Sequence, residues 1–182
     1  MNFNELVQTI STHAIPVLLA ITLHEAAHGY TARQLGDDTA WQMGRVTLNP
    51  FPHIDLVGTV IMPLMLFFAT SGQFLFGYAK PVPIDFSQLR HPKKDMAWVA
   101  LAGPMANFVM GLMWMALFFV LDAADIDEAY FYEVARAGVK INLILFAFNL
   151  FPLQLYHIKW HIPPEIYAQM FVADETGGNA QR

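Results

Sequence analysis

The sequence predicts an all-α polytopic membrane protein, in which three to four transmembrane helices are joined by short extended hairpins at the membrane interface. Hydrophobic residues make up 55% of its 182 residues and charged residues only 14%, whereas about 25% of the residues in an ordinary soluble domain are charged. Four stretches contain no Asp, Glu, Lys or Arg, namely residues 6–24, 56–79, 96–121 and 141–158. A soluble domain has little use for four such stretches, so we expect an integral membrane protein.

Each of the four stretches is long enough to be a membrane segment. The second and third contain 24 and 26 residues. As α-helices they extend about 36 and 39 Å, which exceeds the roughly 30 Å of a hydrocarbon core. The first stretch lacks the basic start of a signal peptide, so we expect it to be a retained membrane helix.

Residues 56–79 allow two topologies. If they span the membrane, the ten Lys and Arg residues divide six to four between its two sides. If they dip in and return, with breaks at Pro63 and at Ser71-Gly72, the division becomes eight to two. The positive-inside rule favours the second arrangement. We therefore expect a re-entrant segment, with the acidic loop 122–133 outside the cell.

The remaining composition limits the domain organisation and the partners. We expect one membrane domain over residues 1–173, embedded in the lipid bilayer, and a polar, disordered tail over residues 174–182. A net charge of −5 without a basic run argues against nucleic acid as a partner. The absence of cysteine leaves His, Asp and Glu as the available metal ligands.

One motif at the end of the first apolar stretch indicates a chemistry. Residues 24–28 have the pattern HExxH. On a helix, residues four apart lie on one face, so His24 and His28 can both bind a Zn²⁺ ion while Glu25 lies beside its open position. Ionisable residues at membrane depth are costly and mostly functional. The alternative is two core histidines and a glutamate satisfied by hydrogen bonds.

Several further segments extend this signal. The chain resembles the site-2 protease family of intramembrane zinc metalloproteases, in particular its short prokaryotic members. The matching segments are residues 23–29 (LHEAAHG), 44–50 (GRVTLNP), 53–59 (HIDLVGT), 78–83 (YAKPVP), 102–107 (AGPMAN) and 148–152 (FNLFP).

The resemblance implies regulated intramembrane proteolysis, the hydrolysis of peptide bonds in transmembrane protein substrates, in a bacterial plasma (inner) membrane. It implies one Zn²⁺ per chain, with His24 and His28 as ligands and Glu25 as general base. It leaves the oligomeric state open.

The family's third zinc ligand is an aspartate eight residues after an asparagine that aligns with Asn149. In this sequence that position is His157. Three histidines form a legitimate catalytic zinc site, so His157 is the candidate third ligand. The alternative is that the chain departs from the family from about residue 154, which leaves two zinc ligands.

Two asparagines lie inside apolar stretches. The resemblance suggests that Asn149 binds the substrate backbone or the oxyanion. For both Asn149 and Asn107 the alternative is a hydrogen bond between helices. Asp55 could orient a zinc-bound imidazole, whereas His13, His53 and His91 are expected at the interface or in solvent.

Residues 46–48 and 82–84 could pair with an unwound substrate strand, or they could simply pack over the site. Two other functions also fit parts of the pattern. The missing aspartate allows a catalytically inactive relative that acts as a membrane scaffold. A metal transporter could use the same three side chains for transit, although no internal repeat is visible.

Overall fold

The structure is a computed structural model that describes residues 3–70 and 77–161, with the side chains of residues 3, 6 and 151–161 outside the description. Three long helices dominate it: α1 (Phe3–Gln34), α4 (Pro92–Ala123) and α5 (Ala129–His161). The short helices are α2 (Thr39–Gln42) and α3 (Met62–Ala69). A π-helix (Leu56–Ile61) runs directly into α3, and two 3₁₀ turns cover Phe51–His53 and Phe86–Gln88. The prediction of an all-helical architecture is confirmed for this part of the chain.

Two of these helices are long and apolar enough to cross a membrane, over Val7–Gln34 and Pro92–Ala123. Their exposed side chains are largely apolar, as a lipid environment allows, and include Ile10, Met113 and Phe119 at 59%, 65% and 65% exposure. The shorter apolar stretch Leu56–Ala69 would extend about 21 Å as an α-helix. Composition and helix length therefore both suggest a membrane protein.

The long helices form a mutually packed bundle. At one end the Tyr130 hydroxyl donates to the Ser11 carbonyl (3.2 Å). At the other end the Arg90 amide donates to the Leu35 carbonyl (3.0 Å). Helix α1 therefore runs parallel to α5 and antiparallel to α4. Close approach is possible because small residues face the interfaces, with Ala20 and Ala135 fully buried.

The connections beside the end of α1 are held by one buried carboxylate. Asp37 is fully buried, and its two oxygens accept hydrogen bonds from the Thr39 amide (2.9 Å) and the Asp85 amide (2.7 Å). Ala32, Leu89 and Val99 also form a small apolar core. The chain after α1 and the chain before α4 thus lie together at the same end of the bundle.

Both flanks of the apolar stretch 56–79 meet in space. The Tyr78 amide donates to the Gly58 carbonyl (3.0 Å), and the Lys80 amide donates to the His53 carbonyl (2.9 Å). A Cβ atom at residue 58 would collide with the Tyr78 ring, which explains why glycine stands there. Asp55 caps the π-helix by accepting from the Gly58 amide (2.7 Å).

The expected extended hairpins do not form, because residues 44–50 and 78–85 contain no β-ladder in the described part of the chain. Pro81 and Pro83 lack an amide hydrogen and cannot donate to a ladder. Side chains occupy the neighbouring backbone groups instead. The Arg45 guanidinium donates to the carbonyls of Lys80 (2.8 Å) and Pro81 (3.2 Å).

Candidate active site

The HExxH motif lies in the last third of α1, where that helix passes α4. Because the spacing is four residues, the two imidazoles lie on one face, with ring centroids 4.7 Å apart and planes at 82°. Their Nε2 atoms approach each other to 3.1 Å. The helix thus directs both nitrogens toward one point.

Each imidazole is held through its other nitrogen. The Nδ1–H of His24 donates to Oδ1 of Asn107 (2.5 Å), and the Nδ1–H of His28 donates to the Val99 carbonyl (2.6 Å). Both acceptors belong to α4. Hydrogens on both Nδ1 atoms leave the two Nε2 atoms facing each other at 3.1 Å. A cation shared between these nitrogens would satisfy both lone pairs.

This arrangement fits a zinc ion. Two imidazole nitrogens in a tetrahedral zinc site bind at about 2.0–2.1 Å and lie roughly 3.3 Å apart. Ligating histidines also usually donate their second N–H to a carbonyl or carboxylate, as both do here. Among the described side chains no group of three His, Cys, Asp or Glu residues could hold a metal.

The space at the two nitrogens is kept open by a glycine. A Cβ atom added to Gly103 of α4 would lie 2.6 Å from Nε2 of His24 and would collide with Nε2 of His28. A metal ion bound by both imidazoles would use the same small space. Residue 103 is also one helical turn beyond Val99, so the missing side chain leaves the Val99 carbonyl accessible to His28.

Glu25 is positioned by the segment before α4. Its Oε2 accepts a hydrogen bond from the Val82 amide (2.8 Å). Val82 is buried, and the segment that contains it is fixed by the two hydrogen bonds from Arg45. The predicted base is therefore oriented by a backbone N–H group of a neighbouring segment.

The other residues predicted to serve the site are Asn149, His157 and Asp55. Nδ2 of Asn149 donates to the Leu145 carbonyl of its own helix (2.8 Å). His157 falls within α5, but its side chain lies outside the described set. Asp55 caps the π-helix, while the imidazoles of the HExxH motif are hydrogen-bonded to Asn107 and Val99.

The expectation that His53 is exposed to solvent is wrong, because the residue is only 1% exposed. Its Nε2–H donates to the Thr47 carbonyl (3.3 Å), and its Nδ1 is buried without a hydrogen-bond partner. Burial lowers the pKa of this imidazole below its usual value, because the charged form would lose hydration. His53 is thus a buried residue that is hydrogen-bonded to the segment containing Thr47.

Sequence reasoning did not single out Asn142. It is fully buried, and its Oδ1 accepts a hydrogen bond from Nδ2 of Asn107 (3.0 Å). The available signal was an amide inside an apolar stretch, the same signal that drew attention to Asn107 and Asn149. Its partner lies 35 residues away in sequence, so spacing alone could not pair them.

A shallow apolar groove of about 370 Å³ runs beside the HExxH face. It is lined by Leu23, Ala26, Ala27 and Tyr30 of α1, by residues 46–48 and by Ala106 of α4. The two unspecified residues of the HExxH motif, Ala26 and Ala27, thus form part of its wall. Leu48, on the other wall, is 70% exposed.

Fold and motif together define the class as a helical membrane protein with an HExxH motif whose two histidines are paired. Comparison with known proteins gives two curated relatives, which bear the names "Putative zinc metalloprotease YwhC" and "Putative zinc metalloprotease Rip2". The first, from Bacillus subtilis, is 31% identical over 172 residues, covering 90% of this chain and 74% of the relative. The second, from Mycolicibacterium smegmatis, is 29% identical over 100 residues, covering 55% of this chain and 37% of the relative.

The chain belongs to the site-2 protease family. The resemblance inferred from the sequence motifs is therefore confirmed. No protein-family model matches the chain, and no solved structure matches it either.

Proposed function

We propose that this protein is an intramembrane zinc metalloprotease that hydrolyses peptide bonds of transmembrane proteins in a bacterial plasma membrane. The observation that supports this most directly is the convergence of the His24 and His28 Nε2 atoms at 3.1 Å, each ring held through Nδ1. These residues lie on a helix long and apolar enough to cross a membrane. Zinc metalloprotease is also the activity in the names of both relatives.

In this proposal His24 and His28 bind the zinc through Nε2. When bound, the zinc would supply a Lewis acid that polarises the scissile carbonyl and lowers the pKa of a water molecule toward about 7. His157 is the proposed third ligand, because it occupies the sequence position of the family's aspartate. Three imidazoles would then hold the ion.

Glu25 acts as the general base. Its carboxylate accepts the proton of the attacking water and then delivers it to the leaving amide nitrogen, since amide hydrolysis needs both transfers. The Val82 amide holds Oε2 in place at 2.8 Å, which reduces the number of orientations the carboxylate explores. Asn149 is the proposed hydrogen-bond donor to the substrate backbone, for which its Nδ2 must leave the Leu145 carbonyl.

We further propose that residues 56–79 are re-entrant. The hydrogen bonds of Tyr78 to Gly58 and of Lys80 to His53 support this, because they bring both flanks of the stretch together. A segment whose two ends are hydrogen-bonded to each other enters and leaves on one side of the membrane. Such a segment would line a path for water to a site below the membrane surface.

The test of the function is cleavage of a transmembrane reporter peptide in proteoliposomes. We expect the wild type to cleave it and Glu25→Gln to lose at least about 100-fold in rate, as loss of a general base typically does. Glu133→Gln is the matched control, because Glu133 is exposed and, among the described residues, forms its ion pair with Arg136 on the same helix (3.1 Å). Wild-type protein that binds the reporter without cutting it would reject the protease and indicate a scaffold.

Metal content is measured in the same preparations. We expect about one zinc per chain in the wild type, as the family's site requires, and loss of zinc in both His24→Ala and His157→Ala. Zinc lost in His24→Ala but retained in His157→Ala would exclude His157 as the third ligand. Absence of zinc from the wild type would reject the zinc enzyme.

A further inference from the structure

We propose that Asn107 is a positioning residue for the metal site, which holds the His24 ring in its metal-binding tautomer, and that Asn142 fixes the orientation of Asn107. This inference rests on the proposed zinc site. It assigns to a buried asparagine pair a role beyond joining helices. The pair connects α5 through α4 to the HExxH helix α1.

The hydrogen bonds determine which way each amide points. Nδ2 of Asn142 donates to the Gly138 carbonyl (2.9 Å), so its Oδ1 is directed toward Asn107. Nδ2 of Asn107 donates to that oxygen (3.0 Å) and to the Ala20 carbonyl (3.2 Å). Both hydrogens of the Asn107 amide are thus used on acceptors. Its Oδ1 is left facing His24.

The orientation of Asn107 in turn selects the tautomer of His24. An acceptor 2.5 Å from Nδ1 requires a hydrogen on that nitrogen. The neutral ring then has its lone pair on Nε2, the atom that faces Nε2 of His28. A flipped Asn107 amide would present NH₂ to Nδ1 and favour the opposite tautomer, whose Nε2–H cannot bind a metal.

Burial makes this selection effective. Asn107 and Asn142 are both fully buried, so no water can replace a lost partner. Reversing the Asn107 amide would oppose its oxygen to the Ala20 carbonyl and the Asn142 oxygen at the same time. Because an unsatisfied buried polar group costs about 1–3 kcal/mol, the reversed arrangement is strongly disfavoured.

The positioning role and a purely packing role predict different results for two substitutions. Asn107→Leu keeps the size but removes the acceptor. Asn107→Asp keeps an oxygen toward His24 Nδ1 but loses the donor to Ala20 and Asn142. If Asn107 only joins helices, Asn107→Asp weakens zinc binding at least as much as Asn107→Leu, since the aspartate buries a charge. If it positions His24, aspartate preserves zinc binding and leucine does not.

The experiment measures zinc affinity of the full chain in detergent by competition with a chelator, together with the ¹⁵N chemical shifts of the histidine rings without metal. We expect Asn107→Leu to weaken zinc binding by about 10–100-fold, the usual loss when such a partner of a ligating histidine is removed. We expect Asn107→Asp to stay near wild type. Asn142→Leu should cause a smaller loss, and the His24 shifts should show mixed tautomers in both leucine variants.

Thr12→Val is the matched control. Thr12 is a buried polar residue of helix α1, and the hydrogen bonds of its hydroxyl within the described part of the chain go to Gln8, Thr9 and His13 of the same helix. We expect this variant to bind zinc as the wild type does. A control that lost zinc equally would assign the effect to loss of any buried polar group and overturn the positioning role.

Failure of this inference is distinguishable from failure of the zinc site itself. If the wild type binds zinc and His24→Ala does not, but Asn107→Leu has unchanged affinity and tautomer, only the inference is overturned. If the wild type binds no zinc, the proposed function fails first. If Asn107→Leu does not fold, the other two variants decide. Loss of zinc binding in Asn107→Asp overturns the proposal. An unchanged zinc affinity and His24 tautomer in Asn142→Leu also overturns it.

Discussion

At the scale of single residues, the absence of a side chain at Gly103 matters as much as the two histidines. A Cβ there would enter the space between the two Nε2 atoms. The backbone of α4 therefore lies directly against the imidazoles, which explains how Val99 and Asn107 of that helix can both reach a Nδ1 atom. Histidine geometry and helix packing are coupled at this one glycine.

A pair of glycine substitutions tests this coupling. Gly103→Ala should abolish or weaken zinc binding by at least about tenfold, because the methyl group displaces the imidazoles from a shared metal position. The measurement is zinc affinity by chelator competition. The matched control is Gly111→Ala on the same helix, where the nearest atoms are 3.7 Å from the added Cβ.

The control should bind zinc normally and be slightly more stable, since alanine is favoured over glycine in a helix by about 0.5–1 kcal/mol. Equal zinc affinity in Gly103→Ala and wild type would show that the imidazoles bind metal elsewhere or adjust freely.

At the scale of elements, the segment 78–85 is ordered by its contacts rather than by regular structure. It is neither helix nor strand up to its 3₁₀ turn at Phe86–Gln88. Arg45 holds its carbonyls, Asp37 holds the Asp85 amide, and Glu25 accepts from the Val82 amide. The proposed base thus belongs to the same network of contacts that fixes the segment.

Arg45→Met should loosen this segment. Hydrogen bonds to charged groups contribute about 1.5–3 kcal/mol, so the Val82 amide should exchange its hydrogen with solvent about tenfold faster or more. Hydrogen–deuterium exchange of the full chain in detergent measures this. Arg33→Met is the control, because Arg33 pairs with Asp38 (3.2 Å) and lies over the Trp41 ring (3.6 Å), and neither partner belongs to the segment. Unchanged exchange at Val82 in Arg45→Met would contradict the assignment.

At the scale of the whole molecule, the structure brings most of the basic loop residues to one end. The contacts of Leu35 with Arg90, of Asp37 with Asp85 and of His53 with Lys80 join the chain after α1 to the chain before α4. The loop between α4 and α5 lies at the opposite end, beside Ser11. Of the eight Lys and Arg residues that the proposed re-entrant arrangement places on one side, six lie in or beside these two segments, within the described part of the chain.

Single introduced cysteines test on which side of the membrane each loop lies, because the sequence contains no cysteine of its own. The substitutions are Asn49→Cys, Ser87→Cys and Asp127→Cys, each at an exposed position. A membrane-impermeant maleimide should label Asp127→Cys in intact cells, since the positive-inside rule places the other end in the cytoplasm. The other two should react only after permeabilisation. Labelling of Asn49→Cys and Ser87→Cys from opposite sides would show that residues 56–79 span the membrane.

Sequence patterns sufficed for the class of fold and for the central motif. Helical spacing alone places His24 and His28 on one face, and uncharged stretches alone indicate membrane helices, because both properties are local. The expected hairpins failed for a non-local reason. Arg45 and Glu25 use backbone groups of residues 78–85 that strand pairing would need. Neither residue is near this segment in sequence.

By itself, the sequence determined that the protein is helical, belongs in a membrane and has an HExxH motif of the site-2 protease family. Only the tertiary structure decided what supports that motif: the Val99 carbonyl, the Val82 amide, the open space at Gly103 and the Asn107–Asn142 pair. Backbone groups are the same in every residue, so no sequence pattern marks which of them will face an imidazole. Asn107 and Asn142 meet because α1, α4 and α5 pack with their buried polar groups at the same height along the bundle. That alignment depends on the packing of all three helices.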